Sequence, residues 1–281
     1  MIDRKIRVAV VGCGRVSRTA HYDALKGIPE YDFRAVCDID RERADLWAKK
    51  NNVKAYYSLK ELLDGEDLDL VSINVPNGLH PKLGIQAAES GVNVICEKPL
   101  GMRLSEVDEL IACCDSNGVQ LFTILQNRYN ETNKLLKRSV EKERFGKIFT
   151  CNVTLRWRRE LGYYTEDHGW RGKRDLAGGV FTNQAVHYID MMQWFINAPA
   201  VSVYAKMDTQ VHDIEVETHG SAVLKFSNGV IGSLNLSSLN YPEDTEGSIT
   251  ILGEKGTVKV GGKSMNEVLE WKFAESDPDD G

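Results

Sequence analysis

Over the first 125 residues, short unbroken apolar runs alternate with longer stretches whose apolar positions recur every third or fourth residue. The runs at 6–11, 33–37, 70–75, 92–96 and 121–124 read as strands. The stretches at 16–26, 41–51, 81–90 and 104–116 read as amphipathic helices between them. Strands apolar on both faces belong in a parallel sheet covered on both sides, built from right-handed strand–helix–strand units. Beyond residue 125 the rhythm changes. A polar helix at 131–142 and a strand at 147–157 lead into a loop at 158–182 rich in Gly, Tyr and Trp, then a helix at 183–195. Alternating strands follow at 201–207, 218–226, 230–239, 248–252 and 257–260, with FSNGV (226–230) marking a tight hairpin. The polar tail ESDPDDG reads as frayed. The pattern predicts an α/β chain. Residues 1–125 form one domain on a parallel sheet, and 126–281 an α+β domain with an open, mainly antiparallel sheet.

Composition removes several classes. The chain has 281 residues, 42% apolar and 27% charged, with a net charge of −6 and no basic block. That excludes a nucleic-acid protein held by phosphate contacts. No apolar stretch reaches the roughly 20 residues of a membrane span. MIDRKIRVAVV lacks the apolar segment of a signal peptide. Cys13, Cys37, Cys96, Cys113, Cys114 and Cys151 show no C-x-x-C spacing and read as reduced thiols of a cytoplasmic protein. The histidines show no H-x-x-x-H or HExxH pattern, so no metal is predicted.

The chemistry gathers at strand ends. VAVVGCGRVS places Gly12 and Gly14, then the small Ser17, directly after a strand. Gly12 permits a tight turn, Gly14 a close approach of backbone to pyrophosphate, and Arg15, Val16 and Ser17 open the helix whose amides face the phosphate. Asp38, at the end of the second strand, suits the hydroxyls of an adenosine ribose. That acid favours NAD, while Arg41 and Arg43 keep NADP open. Asn77 and His80 in VPNGLHP close the next strand, and Glu97 and Lys98 in VICEKPLGMR the one after. These strand ends thus meet at the carboxyl edge of one sheet, where ligands bind in such folds.

VAVVGCGRVS, VCDID, VPNGLH, CEKPLG, WRGKRDLAGG and NQAVHYIDMMQWF together resemble the glucose–fructose oxidoreductase, inositol dehydrogenase and rhizopine-catabolism family (Gfo/Idh/MocA). The resemblance implies an N-terminal Rossmann domain holding NAD(P), with substrate between the nicotinamide and the open sheet. It makes Lys98 the acid/base residue or substrate orienter. His187 is its partner, spaced with Asn183 and Asp190 along one helix face. Asn183 stands where an acid is common in the family; an amide can orient His187 but cannot neutralise its cation, which shifts weight to Lys98. Asp190 reads as structural. QNRYN, RWRRELGYY, HGWRGKRDLAGG and NQAVHYID further resemble sugar-nucleotide 3-dehydrogenases. By that resemblance Gln126, Trp170 and Arg171 reach the cofactor, and Asn127, Arg128, Tyr163, Tyr164, Asn183 and Gln184 join Lys98 and His187 at a UDP-sugar. The open sheet suggests self-association, as a homodimer or homotetramer, and some relatives use 2-oxoglutarate to reoxidise bound NADH. Family chains run further and return a final helix and strand, so the segment after EWKF (270–273) reads as shortened. Two other readings keep the fold: a dehydrogenase of a free sugar, inositol or dihydrodiol, and a non-catalytic NAD(P)-binding regulator.

Overall fold

The structure, a computed structural model, describes residues 4–262 and 264–280. It divides into two compact units, Met1–Ile124 and Leu125–Gly281.

In the first unit β1 (Ile6–Val11) leads through a π-helical turn (Ser17–His21) into α1 (Tyr22–Gly27). Then come β2 (Tyr31–Cys37), α2 (Arg41–Asn51), β3 (Lys54–Tyr56), α3 (Leu59–Gly65), β4 (Leu70–Ile73), α4 (His80–Glu89), β5 (Asn93–Cys96), α5 (Leu104–Ser116) and β6 (Leu121–Thr123). The six strands are parallel, in the order β3-β2-β1-β4-β5-β6. The order reverses direction beside β1, which is where a crevice opens in such sheets. β1 shows why its run is unbroken: Val8 and Val10 pack with Tyr22 and Leu25, while Ala9 and Val11 pack with Leu59, Leu62 and Ala87 on the other face.

β3 and α3 were not predicted. Lys-Ala-Tyr is too short to carry a period, and α3 is announced only by its cap, Ser58 accepting from the amide of Glu61. α2 is better marked, with Asp40 accepting from the Arg43 amide at its start and Asn52 left-handed at its end.

The second unit begins with a 3-10 turn (Gln126–Tyr129), α6 (Glu131–Glu141) and β7 (Ile148–Arg156), followed by α7 (Leu161–Thr165) and a 3-10 segment (Asp167–Gly172). A π-helical turn (Val180–Gln184) precedes α8 (Val186–Ile196). Then come β8 (Ala200–Asp208), β9 (His219–Phe226), β10 (Ile231–Ser237), β11 (Glu246–Gly253), β12 (Gly256–Gly261) and β13 (Glu267–Phe273). The seven strands run in the order β13-β12-β11-β7-β10-β9-β8, antiparallel except for the parallel pair of β7 and β10. Tyr188, Met191, Met192 and Phe195 of α8 and Leu136 of α6 share a core with Val153, Leu155, Leu234, Leu236, Ile249, Ile251, Val258 and Val260.

Three expectations change here. The loop at 158–182 carries helical turns. The tail is anchored: Arg144 forms an ion pair with Asp280, Trp271 Nε1 donates to Asp280 at 2.7 Å, and Lys142 pairs with Asp277 at 2.9 Å. Last, Asn183 lies in the π turn, so it is not part of a continuous helix with His187 and Asp190.

Candidate active site

In the first unit the chain leaves β1 through Gly12 at φ +92°. A Cβ there would stand 2.5 Å from the Asn74 carbonyl oxygen, so only glycine fits. A Cβ on Gly14 would meet nothing within 4 Å, leaving its backbone open to an approaching group. Ser17 is fully buried, and its hydroxyl donates to the Gly12 carbonyl. The Asp38 carboxylate accepts from the amides of Cys13 at 2.7 Å and Asp40 at 2.9 Å. It therefore ties the glycine turn to the end of β2. Of the two arginines weighed for a phosphorylated ribose, Arg43 stands 4.0 Å from Asp38, and Arg41 lies over the Tyr57 ring at 4.2 Å.

At the end of β5 the Glu97 amide donates to the Ile73 carbonyl, and the Lys98–Pro99 peptide is cis. The Glu97 carboxylate turns inward. One oxygen lies 2.9 Å from His21 Nε2, and the other accepts from the Lys98 amide at 3.2 Å. His21 Nδ1 in turn lies 2.9 Å from the Ser72 hydroxyl. Burial alone would raise the Glu97 carboxyl; the His21 hydrogen bond, with the nearby charges and the Lys98 amide, holds it below its ordinary value. Burial draws the Lys98 ammonium down, against the opposing pull of Glu97. His80 is fully buried, with Nδ1 2.7 Å from the Pro99 carbonyl and Nε2 2.9 Å from the Val75 carbonyl. Its ring braces the ends of two strands and has no nitrogen left to offer a cofactor.

In the second unit Tyr163 is the hub. Its hydroxyl receives Asn183 Nδ2 at 3.3 Å and Gln184 Nε2 at 3.2 Å. The Arg159 and Arg171 guanidiniums lie 5.6 Å and 5.3 Å from its ring centre, and Arg171 also covers Trp170 at 4.7 Å. Gln184 is 5% exposed, and its Oε1 has no hydrogen-bond partner among the described residues. Such an orphaned acceptor is costly in a folded chain and is a common mark of a ligand position. Tyr164 is buried behind this group, its hydroxyl 2.8 Å from Ser238 Oγ. His187 is half-buried in the first turn of α8.

Two family models cover most of the chain. Residues 6–125 match the oxidoreductase family with an NAD-binding Rossmann fold, and residues 134–259 match the GFO/IDH/MocA C-terminal domain. Among solved structures, the chain is similar to the WlbA dehydrogenase of Chromobacterium violaceum, in complex with NADH and UDP-GlcNAcA. The two are 41% identical over 99% of this chain and 80% of that one, with a TM-score of 0.95. The WlbA dehydrogenase of Bordetella pertussis, with the same two ligands, is 41% identical over 99% of this chain and 83% of its own, with a TM-score of 0.96. The chain belongs to the Gfo/Idh/MocA family. A curated relative, myo-inositol 2-dehydrogenase of Thermotoga maritima, is 29% identical over 90% of this chain and 74% of its own.

As a Gfo/Idh/MocA oxidoreductase the chain carries the NAD-binding Rossmann fold of that family, and its residues fit the group. The clash that forbids a side chain at Gly12, the open face of Gly14 and the carboxylate of Asp38 form the cradle a dinucleotide needs. Asn77 is buried at the start of a 3-10 turn (Asn77–Leu79). Arg15 and Val16 are exposed beside the turn. In the second unit Gln126 is exposed, and Asn127 donates to Met265 Sδ at 3.6 Å. Arg128 is engaged by Asp190 through both its Nε, at 2.8 Å, and Nη2. That pairing takes up the planar face Arg128 would offer a diphosphate. Sequence reasoning missed His21 and Ser72. Their only signal was position: His21 follows Ser17 by one helical turn, and Ser72 interrupts an apolar strand.

Proposed function

We propose that this family member oxidises the C3 hydroxyl of a UDP-linked N-acetylated sugar or its uronic acid. The observation that carries this reading is the 41% identity over 99% of the chain to two WlbA dehydrogenases whose structures hold NADH and UDP-GlcNAcA. The cluster of Tyr163, Asn183, Gln184, Arg159 and Arg171 supports it, since amides and guanidiniums over aromatic rings suit a sugar and a diphosphate. When bound, the nicotinamide supplies the hydride acceptor.

This chain's own residues handle the proton and the geometry. Lys98 takes the C3 hydroxyl proton at Nζ, a role that requires its neutral form. Burial favours that form at a lower pH than the ordinary value of about 10.4. His187 polarises the hydroxyl, and Asn183 and Gln184 orient the sugar through the Tyr163 hydroxyl. The chain works in the cytoplasm as a homodimer or homotetramer, and 2-oxoglutarate reoxidises NADH.

Mass spectrometry of UDP-sugars incubated with stoichiometric enzyme, NAD and 2-oxoglutarate tests the reading. A UDP-N-acetyl sugar should lose two hydrogens. No change across the panel, from protein that binds NADH, would overturn it and point to a free polyol such as the substrate named for the myo-inositol relative.

A further inference from the structure

The first unit holds a buried chain of polar groups that the proposed reaction does not use. It runs from Ser72 on β4, through His21 at the end of the π-helical turn, to Glu97 after β5. The side chains of His21 and Glu97 are 11% and 12% exposed, so neither is a solvated surface group. A buried carboxylate without a donor would be strongly destabilised. Here His21 Nε2–H satisfies one Glu97 oxygen and the Lys98 amide the other. The carboxylate is thus fixed on both sides, one residue from the lysine.

We propose that His21 is a positioning residue for Lys98: clamped between Ser72 and Glu97, it keeps an ionised carboxylate fixed beside the lysine and so sets where the lysine titrates. This rests on the reading of Lys98 as proton acceptor. The groups facing Glu97 are His21, Lys98 and its amide, with His80 and Cys96 close enough to feel its charge. His21 donates from its side chain to the carboxylate, and Lys98 acts on it through its amide and its charge. Removing that donor drives the buried carboxyl to take up a proton. The negative charge beside Lys98 is then lost, and the lysine becomes neutral at lower pH.

Competitive acetylation with trace acetic anhydride, read by peptide mass spectrometry across the neutral and alkaline range, reports the titration of Lys98 without any substrate. H21A and E97Q should each lower the Lys98 midpoint by about one pH unit, and the double variant should go no lower than E97Q. H21Q, which keeps an N–H donor, should titrate like wild type. A Lys98 midpoint unmoved by H21A, or a double variant whose shifts simply add, would overturn the proposal and leave His21 a packing residue. If H21A does not fold, H21F decides, because it fills the space of the imidazole without offering a donor: its Lys98 midpoint should fall as it does in E97Q, and an unmoved midpoint would overturn the proposal. Absence of UDP-sugar turnover by wild type does not touch this readout, so the two failures are separable.

Discussion

Lys98 is placed by its neighbours more than by its own side chain. Its backbone is held through the Glu97 carboxylate, and burial draws its ammonium toward the neutral form. Two outcomes follow at this scale. Lys98→Ala should lower turnover of the UDP-sugar by about 10²–10⁴-fold, the usual worth of a positioned acid–base group, while NADH affinity measured by fluorescence titration stays near wild type. The rate limb belonging to Lys98 should rise with pH with its midpoint below about 10.4, because a lowered lysine pKa makes the base available earlier. At Gln184, the orphaned Oε1 calls for a substrate N–H or O–H. Gln184→Leu should raise KM for the UDP-sugar by about tenfold or more, the cost of one lost hydrogen bond, and leave the fold's circular dichroism unchanged. An unchanged KM would remove Gln184 from the substrate.

Among the elements, strong periods were legible and weak ones were not. The unbroken run of β1 declared a strand buried on both faces, and α5 keeps the bounds its pattern predicts. The parallel sheet and the mainly antiparallel second sheet followed from the same signals. The three residues of β3 could not show an alternation. β13, EVLEWKF, interleaves charge with apolar residues at a sheet edge and so looks like solvated chain. The π turn before α8 hides in sequence because VFTNQ continues the apolar spacing of the helix. That is why Asn183 and Gln184 looked like helix positions, and why their joint grip on Tyr163 could not be read from spacing. The tail illustrates the same limit: acidic residues read as frayed until Arg144, distant in sequence, and Trp271 claim Asp280. These two hydrogen bonds and the nearby charge hold the Asp280 carboxyl well below its ordinary range. Asp280→Asn should therefore increase hydrogen exchange and proteolysis in the segment after β13, with the sheet core unchanged. At wild-type Asp280 the same loosening should set in only in strong acid, as the carboxyl takes up its proton.

On the scale of the whole chain, each unit has a hydrophobic core of its own, and the glycine turn and Asp38 both belong to the first. Saturating NADH should thus slow hydrogen exchange most in β1, β2, β4 and the turn at Gly12, by an amount that grows with ligand concentration. Protection no greater in these strands than elsewhere would contradict a cofactor seated on the glycine turn. Among the described residues no helix is long and apolar enough to cross a membrane. The bond between Asp38 and the Cys13 amide has a consequence for how this enzyme could change. One carboxylate staples the loop and, in the proposed cofactor reading, also selects the ribose, which would make cofactor choice and loop rigidity a single inherited trait. A lineage drifting toward a phosphorylated ribose would have to give up that acid, and would unfasten its glycine turn in the same substitution. Any such switch should need a compensating donor or acceptor near Cys13 first, which makes cofactor preference here slow to evolve and a poor first target for redesign.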